Sequence, residues 1–159
     1  MAHPGPFIAE SDLLAWESMH LTRFTDYGLR TLIYLAVQPD KRRVTIKEVV
    51  EVYGLSRDHV VKVVHRLGKL GYVETFRGKS GGFRLAHAPE EINVGAVVEQ
   101  LEPSFNMAEC GNPVCRLSPS CRLQGILKEA TTEFKSVLRR YTLTDLITHE
   151  GKVKRLLGV

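Results

Sequence analysis

The chain has no cysteine before position 110 and none after position 121. Residues 1–18 hold no lysine or arginine, which argues against a secretory signal, because such signals open on basic residues. No apolar run approaches the ~20 residues needed to cross a bilayer, so no membrane partner is expected. Internal repeats and low-complexity tracts are missing. So are nucleophile–base pairings, paired carboxylates and phosphate-binding loops. The glycine-rich run at 78–82 joins two strand-like segments instead of opening a helix. These absences set aside exported, membrane-embedded and enzymatic classes, and they predict a soluble, cytoplasmic protein in a reducing compartment. The bulk composition is ordinary: 159 residues, 43% hydrophobic and 25% charged, with a net charge of +4. That is enough chain for one domain and an appendage.

What is present is concentrated. All three thiols, Cys110, Cys115 and Cys121, lie in one stretch, with four and then five residues between them. Gly111, Pro113 and Pro119 interrupt both spacers, so the stretch is a folded loop rather than a helix or strand. A loop can turn three thiols toward one point. A disulfide would use two and strand the third. Structural zinc prefers four ligands in paired Cys-x2–4-Cys knuckles, and only the first spacing falls in that range. Cysteines of an apolar core would follow a periodic face, and these do not. The favoured reading is an iron–sulfur cluster on cysteine thiolates, with zinc and a disulfide as the alternatives. Three cysteines leave one position to a non-cysteine ligand, where a small reactive molecule can attack. Arg116 and Arg122 stand beside two of the cysteines and favour the thiolate form.

The order of the chain supplies the context. Residues 1–18 show no pattern; Met19 is an alternative start, which makes them a disordered N-terminal extension. From Thr22, residues Leu29, Leu32, Ile33 and Ala36 mark a helix ending near Pro39. Asp26 and Arg30 lie four apart on one of its faces, the spacing of a surface ion pair. Thr45 caps a second helix over 46–52, which stops at Gly54. Ser56 caps a third, with Val60, Val63, Val64 and Leu67 as its apolar stripe. Two short helices joined through Gly54 fit a helix-turn-helix. Segments 72–76 and 83–86 flank the basic, glycine-rich tip 77–82, a hairpin that serves as the wing. Residues 56–84 carry seven Lys or Arg against two acids, an excess larger than the whole chain's +4. Placed on a third helix and a hairpin, that charge points to double-stranded DNA. RNA is less favoured, since no stacking aromatics interleave the basic residues.

Asn93 caps a fourth helix, and a long helix follows from about Cys121 toward Tyr141. Along it Leu123, Leu127, Ala130, Phe134, Val137 and Tyr141 form a heptad seam, widened by Ile126 and Leu138. A helix of ~20 residues is too long for a small winged domain to cover, so the seam should meet a second copy in a homodimer. Thr142 and Thr144 cap a short last helix. The predicted class is mainly α: a winged helix-turn-helix domain (19–102) with a small β-hairpin wing, a cysteine cluster loop (103–121), a dimerisation helix with a short following helix (122–150) and a mobile tail (151–159).

Four stretches then carry a resemblance in order over residues 19 to about 150. They are Phe24-Thr25-Asp26-Tyr27-Gly28-Leu29-Arg30, Tyr53-Gly54-Leu55-Ser56-Arg57, Arg77-Gly78-Lys79-Ser80-Gly81-Gly82, and Leu101-Glu102-Pro103 with the cysteine loop. Together they resemble the IscR-like superfamily of bacterial winged-helix regulators, in its nitric-oxide-sensing branch. The resemblance implies a homodimer with one cluster, 4Fe–4S or 2Fe–2S, per cysteine loop. In it the holo form represses transcription, and nitrosylation of the cluster abolishes tight DNA binding. It also implies that Asp26 of the partner subunit supplies the non-cysteine ligand, and that Arg30 lies near Glu102 across the dimer. Relatives that regulate cluster assembly space their cysteines five and five and use a nearby histidine. The four-and-five spacing here, with no His between residues 88 and 148, favours the nitric-oxide branch.

For DNA, Arg57 is the expected guanine donor, with Ser56, His59 and Lys62 on bases or phosphates. Arg77 and Lys79 of the wing are expected along phosphates or in an adjacent minor groove. A two-fold dimer expects an inverted-repeat operator. A cluster-assembly or other redox-sensing regulator, a zinc-stabilised regulator without sensing, and a small electron-transfer protein are the competing readings. The last would not need a basic third helix and wing.

Overall fold

A computed structural model describes residues 20–39, 42–108, 110–111 and 114–159. The extension expected at 1–18 lies outside the described residues. The elements, in order, are α1 (Arg23–Ala36), α2 (Ile46–Tyr53), α3 (Arg57–Lys69), β1 (Val73–Phe76), β2 (Gly82–Leu85), α4 (Val94–Leu101), α5 (Arg122–Arg139) and α6 (Glu150–Leu157). Short 3-10 turns lie at Pro89–Glu91, Ser118–Ser120 and Thr144–Ile147. The mainly helical class with one two-stranded antiparallel hairpin is therefore as expected. No described helix is long and apolar enough to cross a membrane.

Local chemistry explains most of the boundaries. Thr22 caps α1 by accepting from the Thr25 amide. Thr45 and Glu48 form a reciprocal capping box on α2, and Asn93 caps α4 through the Ala96 amide. Gly54 takes a left-handed conformation (φ 63°) to end α2 and turn the chain into α3. Ser56 is the residue before α3, but its side chain makes no capping bond. The apolar stripes of α1, α3 and α4 then meet: Leu32, Val60, Val63, Leu67 and Val97 are all essentially inaccessible. Leu143 closes the same core from the segment after α5.

The wing is broader than a hairpin. β1 and β2 pair from Val73–Leu85 to Phe76–Gly82, and Val44 pairs with Phe83 on the far side of β2 through two 2.8 Å backbone bonds. Residues 150–157, most of the tail expected to be mobile, form α6, and Leu157 packs against the core. Val153, Leu156 and Leu157 follow helical spacing there, and Gly158 (φ 71°) ends the helix. The short last helix anticipated after Thr142 is the 3-10 turn Thr144–Ile147, and Asp145 accepts from the Thr142 amide and hydroxyl.

Two close approaches fix α4, the helix that leads into the cysteine loop. A Cβ on Gly28 of α1 would lie 2.4 Å from Leu101 Cδ1, so α1 and α4 cross where α1 lacks a side chain. At its other end, a Cβ on Gly95 would meet the Arg139 backbone nitrogen at 2.7 Å, which seats the end of α5. One residue beyond α4, Glu102 accepts from the Thr22 amide (3.1 Å), the Thr22 hydroxyl (3.1 Å) and the buried Thr25 hydroxyl (2.6 Å). A carboxylate there satisfies the first donors of α1 and suits the positive end of its dipole. Thr25→Val keeps the side-chain shape but removes the shortest of these donors. It should cost about 1.5–3 kcal/mol in urea unfolding, the range for a hydrogen bond to a charged group. Unchanged stability would mean that Glu102 does not hold α1.

Candidate functional site

The cysteine stretch is turn-built, as its glycine and prolines require. The Cys115 amide bonds to the Cys110 carbonyl (3.2 Å), and Ser118 bonds back to Cys115 (3.1 Å). Cys121 occupies the position before α5, and its side chain makes no capping bond there. All three thiols are free and half-buried. In kind, this donor set suits an iron–sulfur group: three unpaired sulfurs on one loop, with no disulfide competing for them. In arrangement it is open. Among the described residues no three His, Cys, Asp or Glu side chains lie close enough to hold one metal ion.

Behind the loop lies a cavity of about 640 Å³ between the 103–110 segment and α5, with Cys110, Glu102 and Leu127 in its wall. Phe105 anchors the segment. Its ring sits 6.4 Å from Phe134, Lys135 Nζ lies 4.2 Å above it, and the Thr131 hydroxyl donates to its carbonyl. Phe134 therefore has a partial partner within its own chain. Leu127 and Leu138 are half-buried, but no residue of α5 is fully buried, and Leu123 and Ile126 are 59% and 51% exposed.

Asp26 and Arg30 form the ion pair that their spacing suggests, Arg30 Nε to Asp26 Oδ1 at 2.9 Å. The bond it donates to Asp26 raises the guanidinium's already high pKa. Within the chain Arg30 is not brought to Glu102, whose carboxylate is held by Thr22 and Thr25. Instead Arg30 lies 5.9 Å over the ring of Tyr53, at the helix-turn-helix bend. Burial pushes the Tyr53 hydroxyl up to about 12, so it stays neutral and serves as a packing surface. One residue along α1 from Asp26, Tyr27 meets His59 of α3 edge-on at 6.0 Å.

The basic excess divides in two. Arg66 donates to the Gln100 carbonyl at the end of α4, and Arg84 pairs with Glu74 across the hairpin (2.9 Å). Both are engaged in structure. Arg57, Lys62 and Lys69 on α3, with Arg77 and Lys79 on the wing, are exposed and make no ion pair or hydrogen bond among the described residues. Ser56 and His59 are exposed at the start of α3. Sequence reasoning missed Thr22 and Thr25 as partners of Glu102, and missed Arg43, whose guanidinium lies 3.9 Å over Phe76 and donates to the Ser80 carbonyl. A capping threonine carries a local signal; a contact across some eighty residues carries none.

Comparison with known proteins agrees with this architecture. The model of the Rrf2 family, described as iron-dependent transcriptional regulators, matches residues 21–149. The HTH-type transcriptional regulator NsrR of Halalkalibacterium halodurans is 50% identical over 142 residues, covering 87% of this chain and 97% of the relative. That of Bacillus subtilis is 45% identical over 142 residues, with 87% and 97% covered. Among solved structures, IscR of T. potens superposes with a TM-score of 0.67 at 24% identity, covering 83% of this chain and 88% of that one. A transcriptional regulator from Listeria innocua reaches 0.71 at 23% identity, with 84% and 90% covered. These two establish the fold alone. With a helix-turn-helix, a wing and an unpaired basic face, and with relatives that are transcriptional regulators over nearly their whole length, the chain belongs to the Rrf2 family: it is a DNA-binding transcriptional regulator and not an enzyme.

Proposed function

We propose that the protein is a homodimeric repressor that senses nitric oxide through an iron–sulfur cluster on Cys110, Cys115 and Cys121. The observation that carries this reading is the position of the three free thiols. They occupy the loop that starts directly after Glu102, and Glu102 holds the first turn of α1. A change in that loop therefore reaches the DNA-binding domain through one residue. The exposed seam of α5 supports a second copy as its cover: Leu123, Ile126 and Val137 remain exposed, as a coiled-coil face does before pairing.

Bound there, the cluster would supply an iron that nitric oxide can attack, in the 4Fe–4S or the 2Fe–2S form. The chain's own residues do the rest. The cysteines tie the two ends of the loop together, and Asp26 from the partner subunit is the carboxylate proposed to complete the set. Among the described residues Asp26 accepts from Arg30 through Oδ1, which leaves Oδ2 to act as a metal ligand. α1 is the transmitter, since it carries Asp26, Tyr27 against His59 of α3, and Arg30 over Tyr53 at the bend before α3. Drawing Asp26 toward a partner's loop sets the pitch of α1 and, through these two contacts, the spacing of the paired α3 helices. A proposed contact of Arg30 with Glu102 across the dimer would reinforce the same path. The ligand must favour the DNA-competent spacing, because an equilibrium shifts only by the difference in affinity for its two states. Loss of that tie would relax repression. Ser56, Arg57, His59 and Lys62 present to the major groove of an inverted repeat, with Arg77 and Lys79 flanking them on the wing.

Cys115→Ala should yield protein without visible absorption that neither represses nor responds to nitric oxide. A reporter strain that stays repressed and responsive with this variant would refute the sensor reading. On DNA, Arg57→Ala should cost about 1–3 kcal/mol and relax one position of the site. Lys79→Ala should weaken all sequences alike and reduce the salt slope by about 0.9. Binding measured against a panel of operator variants separates the two. Identical profiles would contradict the division between reading and anchoring.

A further inference from the structure

The wing tip is fixed by a residue outside the hairpin. Arg43 belongs to the segment between α1 and α2, yet its Nη1 donates to the Ser80 carbonyl at 3.0 Å. Its guanidinium lies 3.9 Å over the ring of Phe76, the last residue before the tip. On the same ring Arg84 sits at 5.2 Å, held in turn by Glu74. Phe76 thus contacts two guanidinium groups, one from within the hairpin and one from outside it. The backbone repeats the arrangement. Next to Arg43, Val44 exchanges two bonds with Phe83, and a Cβ on Gly82 (φ 147°) would lie 2.7 Å from the Val44 carbonyl oxygen. Only glycine lets the segment approach so closely there. The tip itself is a tight turn, with the Gly81 amide bonded to the Gly78 carbonyl at 2.9 Å.

We infer that Arg43 is a positioning residue for DNA binding: it sets where the wing tip presents Arg77 and Lys79, and does not itself touch DNA. The physical case is one of reach. Arg77 and Lys79 stand on a five-residue turn and have no side-chain partner among the described residues, and a short glycine-rich turn on two four-residue strands is loose by nature. Among the described residues Arg43 is the side chain that reaches the tip from outside the hairpin, and a planar fork suits both jobs. It donates to a carbonyl at its edge while its face stacks on an aromatic ring. The charge is used twice over in holding the tip, which leaves it poorly placed for a phosphate.

The inference rests on the wing's proposed contact with DNA phosphates, so the test needs a readout without DNA. The probe duplex is one selected from a random pool by the unsubstituted protein. Arg43→Ala should speed tryptic cleavage after Arg77 and Lys79 in DNA-free protein, leave the melting temperature in place, and weaken the duplex roughly fivefold, the scale of one lost interaction of this kind. In an Arg77→Ala/Lys79→Ala background the same substitution should cost nothing further, since the residues it positions are gone. Arg43→Lys keeps the charge but not the stacked fork and should recover binding only in part. An equal loss in both backgrounds, or full recovery by lysine, would show direct contact and overturn the inference. Unchanged cleavage, or a large fall in melting temperature, would also overturn it. Faster cleavage with unchanged binding would instead remove the wing from the DNA contact, and Arg43's part in binding with it.

Discussion

A carboxylate and two threonines join the two halves of this molecule. Glu102 lies one residue beyond α4, between that helix and the stretch that carries the cysteines, and it holds the amide and hydroxyl of Thr22 and the hydroxyl of Thr25. The start of α1 therefore cannot move independently of the start of the loop. Thr25 is fully buried, so its hydroxyl has no access to water if Glu102 withdraws. An unmade bond at such a site costs more than the bond contributes when made, which turns a local contact into a constraint on both elements. Gly28 sharpens it, because α1 and α4 cross too closely there for either to slide freely.

The functional residues are ordered by that constraint. α1 carries at successive points the proposed ligand Asp26, the ring that meets α3 and the guanidinium that covers the helix-turn-helix bend. None of these contacts is strong alone. The exposed ion pair contributes only a few tenths of a kcal/mol. Their value lies in sharing one rigid helix, so that a pull at Asp26 is felt at two places on the reading head. The wing is also tied from Arg43 and Val44. In the proposed scheme, reading and anchoring of DNA would be adjusted through different contacts.

Much of this could be read without coordinates, and the reasons are physical. Helical periodicity and capping chemistry are local, so Thr22, Thr45, Asn93 and Gly54 marked their boundaries closely. The cysteine loop was legible because proline and glycine punctuate it. The excess of seven basic residues pointed to DNA, but charge in sequence does not show which groups are already engaged: Arg66 serves the end of α4, and Arg84 serves the hairpin. The C-terminal helix was overlooked because its lysines and arginine hid a short apolar stripe. Glu102's partners lie some eighty residues away, and those of Arg43 lie across the wing; no local pattern announces either.

One measurement bears on the whole scheme. Protein purified without oxygen is titrated with nitric oxide while visible absorption and DNA retardation are followed in the same sample. The scheme expects coloured, iron-containing protein whose absorption and DNA binding decline together. Colourless, iron-free protein that grips the same DNA equally well, before and after nitric oxide, would contradict it.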